Sequence, residues 1–124
     1  MNAAPPPDVV LLCADLILTS SVSGICQSAG VTNLCTSDTA AVLTLLEAEH
    51  RPRLLIDFSL PGLDIEDFAG RLPESVLKNA VAYGPHVHTA KIEAARRAGI
   101  GEVTSRGNFT ARLQQYVLQT PSSS

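Results

Sequence analysis

Asp57 is the residue best placed to do chemistry. It ends the aliphatic run Arg53-Leu54-Leu55-Ile56 and is followed by Phe58-Ser59-Leu60-Pro61-Gly62. A carboxylate at the carboxyl end of a buried parallel strand stands where open α/β sheets hold ligands and reactive groups. The plainer reading of Asp57 is a loop cap, since Asp side chains bond the backbone two residues on. Cys13 closes another apolar run, and His86 and His88 follow a Gly84-Pro85 turn, so a Cys/His/Asp metal site is geometrically conceivable. The spacing His86-x-His88 is unspecific, however, and a buried cysteine is usually a small hydrophobe. A nucleophilic pair of Cys13 with His86 has less behind it, because nothing in the sequence marks an oxyanion hole.

These residues need elements to carry them. Leu54, Leu55 and Ile56 do not alternate with polar residues, so both faces of their strand are covered. Pro61 has no amide hydrogen to donate and Gly62 tolerates positive φ, which ends the strand near Asp57. Asp8-Val9-Val10-Leu11-Leu12-Cys13 reads as the first strand. From Leu16 to Ala29, Leu18, Val22, Ile25, Cys26 and Ala29 recur at helical steps, with Gly30 as cap. Val31–Thr36 reads as a second strand near an edge. Ser37-Asp38 caps a helix over Ala40–Glu49, ended by Pro52. Asp64–Leu72 forms a third helix, and Pro73-Glu74 starts a further short turn. Asn79–Tyr83 is a fourth strand, and His88 or Thr89 caps a helix through Ala98, closed by Gly99. Glu102–Thr104 makes a fifth strand. Asn108 caps a last helix whose Phe109, Leu113, Tyr116 and Val117 dock on the sheet. Five strands alternating with five helices make a doubly wound parallel sheet, and a flavodoxin-like order 2-1-3-4-5 brings Cys13, Asp57 and Tyr83-Gly84 to one rim.

Composition sets the outer bounds. The chain has 124 residues, 45% of them hydrophobic and 17% charged, which suits one compact domain with a core of its own. We read it as a leader over 1–7, a folded domain over 8–118 and a tail over 119–124, with both ends disordered. A formal charge of -3 and the lack of any Lys/Arg cluster give no reason to expect nucleic acid. No apolar stretch approaches the roughly 18 residues that span a bilayer. The start lacks the positive charge of a signal peptide, and the three cysteines have no CxxC spacing, so a cytoplasmic protein with reduced thiols is expected.

Across residues 8–118 the sequence resembles the receiver domain of bacterial two-component response regulators, a CheY-like fold. Asp57-Phe58-Ser59-Leu60-Pro61-Gly62 is similar to the family's Asp-x-x-Met-Pro-Gly, with Leu60 in place of methionine, and Ala98-Gly99-Ile100-Gly101 resembles the segment before the fifth strand. The resemblance puts Asp57 at the phosphoacceptor position. It also implies an acidic pair after the first strand that holds Mg²⁺, because a transferring phosphoryl group concentrates negative charge. Those positions read Cys13-Ala14 here, with Asp15 one residue late. The hydroxyl position of the fourth strand falls on Gly84, the aromatic switch on Val103, and the Lys of the Lys-Pro pair on Arg106, where a salt bridge from Arg106 to Asp57 is expected.

The reading is therefore a degenerate, stand-alone receiver acting in signalling by protein-protein interaction, without enzymatic activity and without a cofactor. The alternative is a working single-domain regulator phosphorylated at Asp57, with Mg²⁺ held by Asp15 and Asp57. A third class, a flavin-binding flavodoxin-like protein, suffers from a Thr19-Ser20-Ser21/Ser23-Gly24 segment that arrives too late for a phosphate loop. Expected partners are a sensor kinase or other signalling protein. A second copy is also expected, through the surface of the fourth helix, fifth strand and fifth helix, where Ile92, Tyr116 and Leu118 lie.

Overall fold

The computed structural model describes residues 6–48 and 50–118. Five parallel strands form one sheet: β1 (Val9–Leu12), β2 (Asn33–Thr36), β3 (Arg53–Asp57), β4 (Val81–Gly84) and β5 (Glu102–Ser105), in the order β2-β1-β3-β4-β5. This is the expected doubly wound arrangement, with β2 at an edge. Seven helices among the described residues surround it, namely α1 (Leu16–Ala29), α2 (Thr39–Leu45), α3 (Ile65–Gly70), α4 (Glu74–Asn79), α5 (Thr89–Arg97), α6 (Arg106–Ala111) and α7 (Leu113–Leu118).

The period-2 geometry of the strands explains the unbroken apolar runs. Val10, Leu12, Leu54, Ile56 and Ala82 enter one core with α2, α3, α4 and α5. Val9, Leu11, Cys13, Leu55, Val81 and Tyr83 enter the opposite core with α1, α6 and α7. Each central strand thus buries both faces, as helices on either side of a parallel sheet require.

Local chemistry sets the helix ends. Asp15, Asp38 and Asp64 cap α1, α2 and α3 with side-chain oxygens on backbone N–H groups. Gly30, at φ 71, lets α1 end in a left-handed residue, and the Val31 N–H then returns to the Cys26 carbonyl at 2.9 Å. That closure keeps Val31 out of the sheet, so β2 starts at Asn33. The second helix is shorter than expected and stops at Leu45, well before Pro52.

The turn expected at Pro73-Glu74 is a helix of its own, and the last helix, read as single, is broken in two. Pro73, lacking an amide hydrogen, separates α3 from α4. Arg112 leaves helical geometry between α6 and α7. The cap of α6 is Ser105, whose hydroxyl accepts from the Asn108 N–H at 3.0 Å, and not Asn108. Asn108 instead donates to Thr104 Oγ1 at 2.7 Å and to the Tyr116 hydroxyl at 3.0 Å. His88 precedes α5 without a side-chain cap bond. Of the leader, only Pro6 and Pro7 are described, and the Pro6 carbonyl accepts from Thr32 Oγ1 at 3.3 Å. The rest of the leader, 1–5, and the tail over 119–124 lie outside the described residues.

Candidate functional site

The rim at the carboxyl ends of β1, β3 and β4 gathers Cys13, Asp15, Asp57, Tyr83 and Gly84, with Arg106 following β5. Asp57 shares its register with Tyr83 on β4 and is only 6% exposed. Its Oδ1 accepts from the Ser59 N–H at 2.9 Å and from Ser59 Oγ at 2.6 Å. Asp57 is therefore a loop-capping residue as well as the carboxylate at the head of the central strand.

Asp15 is committed twice. Its Oδ1 accepts from the N–H groups of Ile17 at 2.9 Å and Leu18 at 3.2 Å, and its Oδ2 is paired with Arg106. The salt bridge expected between Arg106 and Asp57 is thus formed with Asp15 instead. Arg106 opens α6 on the sheet face that α1 also covers, which brings the guanidinium to the capping carboxylate. The Leu18 N–H, and then Arg106, hold the Asp15 carboxyl below its ordinary value, and Asp15 raises that of Arg106. Between these residues the Cys13 thiol accepts from the Asp15 N–H at 3.1 Å, and the exposed Ala14 side chain offers no donor atom.

This set does not fit a hard divalent cation. Such a cation needs several oxygen ligands, and here the neighbour positions supply a thiol, a methyl and a carboxylate already spent on a helix cap and an arginine. Among the described residues no three His, Cys, Asp or Glu side chains are grouped to hold a metal. His86 and His88 are exposed on the β4–α5 loop. Thr19 to Gly24 lie inside α1, where their backbone N–H groups serve the helix rather than a phosphate loop.

Gly84 has a steric cause. A Cβ at this position would run into the buried Phe58 ring, so a side chain at 84 and the ring at 58 compete for one space. Val103 is half-buried against the same core. Phe58 fills the space in which a hydroxyl on residue 84 would have to stand.

Two features went unread in the sequence. The Tyr83 hydroxyl is fully buried and has no hydrogen-bond partner among the described residues. Burial, with Cys13 and Asp57 nearby, pushes its ionisation far up, and its ring stacks on Phe109 with centroids 4.0 Å apart. Arg53 is buried at the amino end of β3, where Nε donates to the Tyr116 carbonyl at 3.1 Å and Nη1 to that of Asn79 at 2.6 Å. A cation opening an all-apolar strand was the one available signal for the second. Tyr116 is buried and Ile92 and Leu118 half-buried, whereas Leu16, Ile17 and Val87 stand out at 82%, 81% and 68% exposure.

No protein-family model matches the chain, and no curated protein matches it. Solved structures do. A response regulator receiver domain from Rhodospirillum rubrum superposes with a TM-score of 0.68 at 19% identity, covering 91% of this chain and 96% of the other. The fold is that of a response-regulator receiver domain. The receiver domain of a sensor histidine kinase from Pseudomonas aeruginosa PAO1, which has a magnesium ion coordinated in its active-site cleft, matches at 0.63 and 15% identity, covering 91% and 98%. The backbone that carries Cys13, Ala14 and Gly84 thus has the receiver fold over most of the chain. No helix among the described residues is long and apolar enough to cross a membrane.

Proposed function

We propose that this chain is a receiver-fold signalling module of the cytoplasm that works by protein-protein interaction and not by Mg²⁺-dependent phosphorylation of Asp57. The observation that carries the proposal is the double commitment of Asp15, to the start of α1 and to Arg106. Among the described residues it leaves Asp57 without a second free carboxylate beside it. Phosphoryl transfer is almost wholly a matter of positioning and charge neutralisation, so loss of the cation's ligands removes the larger part of the chemistry. The Phe58 ring against Gly84 supports the same reading, because it occupies the room for a hydroxyl that would meet a phosphoryl oxygen. With no reaction of its own, the module passes on its signal by binding a kinase or another signalling protein.

The test is direct. The protein is incubated with a small acyl phosphate and Mg²⁺, and its intact mass is measured beside an Asp57→Asn control. An unchanged mass is expected. A phosphoryl adduct present in the wild type and missing from the control would replace this reading with that of a working single-domain regulator.

A further inference from the structure

The rim carries a knob and a hole on the same side of the sheet. The knob is Val87, 68% exposed on the loop between β4 and α5, between exposed His86 and His88 and one turn before exposed Lys91. The hole is a cleft of about 250 Å³ between the first turns of α2 and α3. Leu43, Leu63 and Phe68 give it apolar walls, and Asp64 and Asp67 stand at it, with Arg71 as the opposing cation. The helices α2, α3 and α5 all pack on one face of the sheet. In the strand order, β2 and β1 lie on one side of β3 and β4 on the other, so cleft and loop flank Asp57.

We propose that a second copy of this chain seats on the rim, the β4–α5 loop of each protomer entering the α2/α3 cleft of the other. A two-fold contact must be self-complementary: whatever one patch offers, another patch of the same molecule must accept. Here an apolar side chain among His and Lys faces a cleft of mixed lining, in which apolar walls stand beside two carboxylates and one arginine. Asp64 spends Oδ1 on the Asp67 N–H at the start of α3, and among the described residues the Asp67 side chain pairs with Arg71 alone, exposed on both sides, so both acids remain accessible to a partner's Lys91. The two-fold axis passes beside Asp57, and the dimer covers the rim. The contact is small, which makes the association weak and reversible. This inference goes beyond the reading above: a monomer that takes no phosphoryl group would remove the dimer and leave that reading standing.

Sedimentation velocity over a concentration series up to about 1 mM tests it. The wild type is expected to shift from monomer toward dimer. Val87→Asp, on an exposed loop, should weaken association at least about tenfold, roughly what burying a carboxylate in place of a methyl pair costs an apolar contact. Lys91→Glu and Asp67→Lys should each weaken it, and the two together should restore it, since the swap re-creates opposite charges across the axis. A chain that stays monomeric throughout overturns the proposal. So does a dimer that Val87→Asp leaves intact, or one that is broken by Leu16→Ser with Ile17→Ser on α1 and not by the loop and cleft variants.

Discussion

The two ends of the sheet each hold an arginine, and they hold it differently. At the amino end Arg53 is 6% exposed and gives its N–H groups to backbone carbonyls of α7 and of the α4–β4 junction. At the carboxyl end the Arg106 side chain is 42% exposed and faces the Asp15 carboxylate. Carbonyls cannot be protonated and are fixed by the backbone, so these two bonds do not themselves titrate, and they tie β3 to α7 and to the end of α4. A carboxylate partner can be neutralised, screened or displaced, so the Arg106 pair is adjustable. The molecule is built rigid where its strands begin and responsive where they end.

Substitutions that remove each arginine should separate the two ends most widely. Arg53→Met leaves the Tyr116 and Asn79 carbonyls without a charged donor in a buried site, and should lower unfolding free energy by about 2–4 kcal/mol in urea titrations. Arg106→Ala should cost less than about 1 kcal/mol, because exposed pairs are screened, and that cost should shrink further in high salt. Equal losses from the two would erase the contrast.

Next in size are changes within the rim. Gly84→Ser should destabilise by about 1–3 kcal/mol, since its Cβ must displace the Phe58 ring, and a smaller residue at position 58 should recover part of that loss. Tyr83→Phe should do the reverse. It removes a buried hydroxyl that has no partner among the described residues, so a gain of up to about 1 kcal/mol is expected, read as a higher urea midpoint at unchanged slope. A loss would mean that the hydroxyl is bonded in solution.

The smallest effect is that of pH. The Asp15 carboxyl is held below 3.8 by the Leu18 N–H first and by Arg106 next. A carboxyl depressed in the folded state adds stability above its unfolded pKa and loses it as pH falls through the folded value. Asp15→Asn, which keeps a capping oxygen but not the charge, should therefore melt slightly below the wild type from about pH 5 to 7, with the gap closing below about pH 4. A gap that persists in acid would assign the effect to the cap and not to the charge.

Much of this architecture was legible from residue order. Strands β1 and β3, the caps at Asp38 and Gly30, and the sheet order follow from apolar runs, turn residues and crossover rules, because burial on both faces leaves a plain mark on a strand. What escaped notice depends on meetings between distant segments. The partner of Arg106 could not be read because Asp15 is 91 residues away, and the nearer candidate, Asp57, is held by its own Ser59. The break between α6 and α7 escaped for another reason: Phe109, Leu113, Tyr116 and Val117 keep helical spacing across it, so the apolar pattern is the same for one helix or two. That residue 84 has no hydroxyl was legible, but the Phe58 ring that a Cβ there would meet was not.

The aromatic stack has a practical consequence for anyone who watches this protein unfold. The sequence has no tryptophan and two tyrosines. Both of them, Tyr83 and Tyr116, stack on Phe109 on a single face of the sheet, at ring centroid separations of 4.0 and 5.3 Å. Intrinsic emission is thus a one-sided witness, blind to the layer of α2, α3, α4 and α5. A dye or isotope label placed in that silent layer would show whether the two halves melt as one.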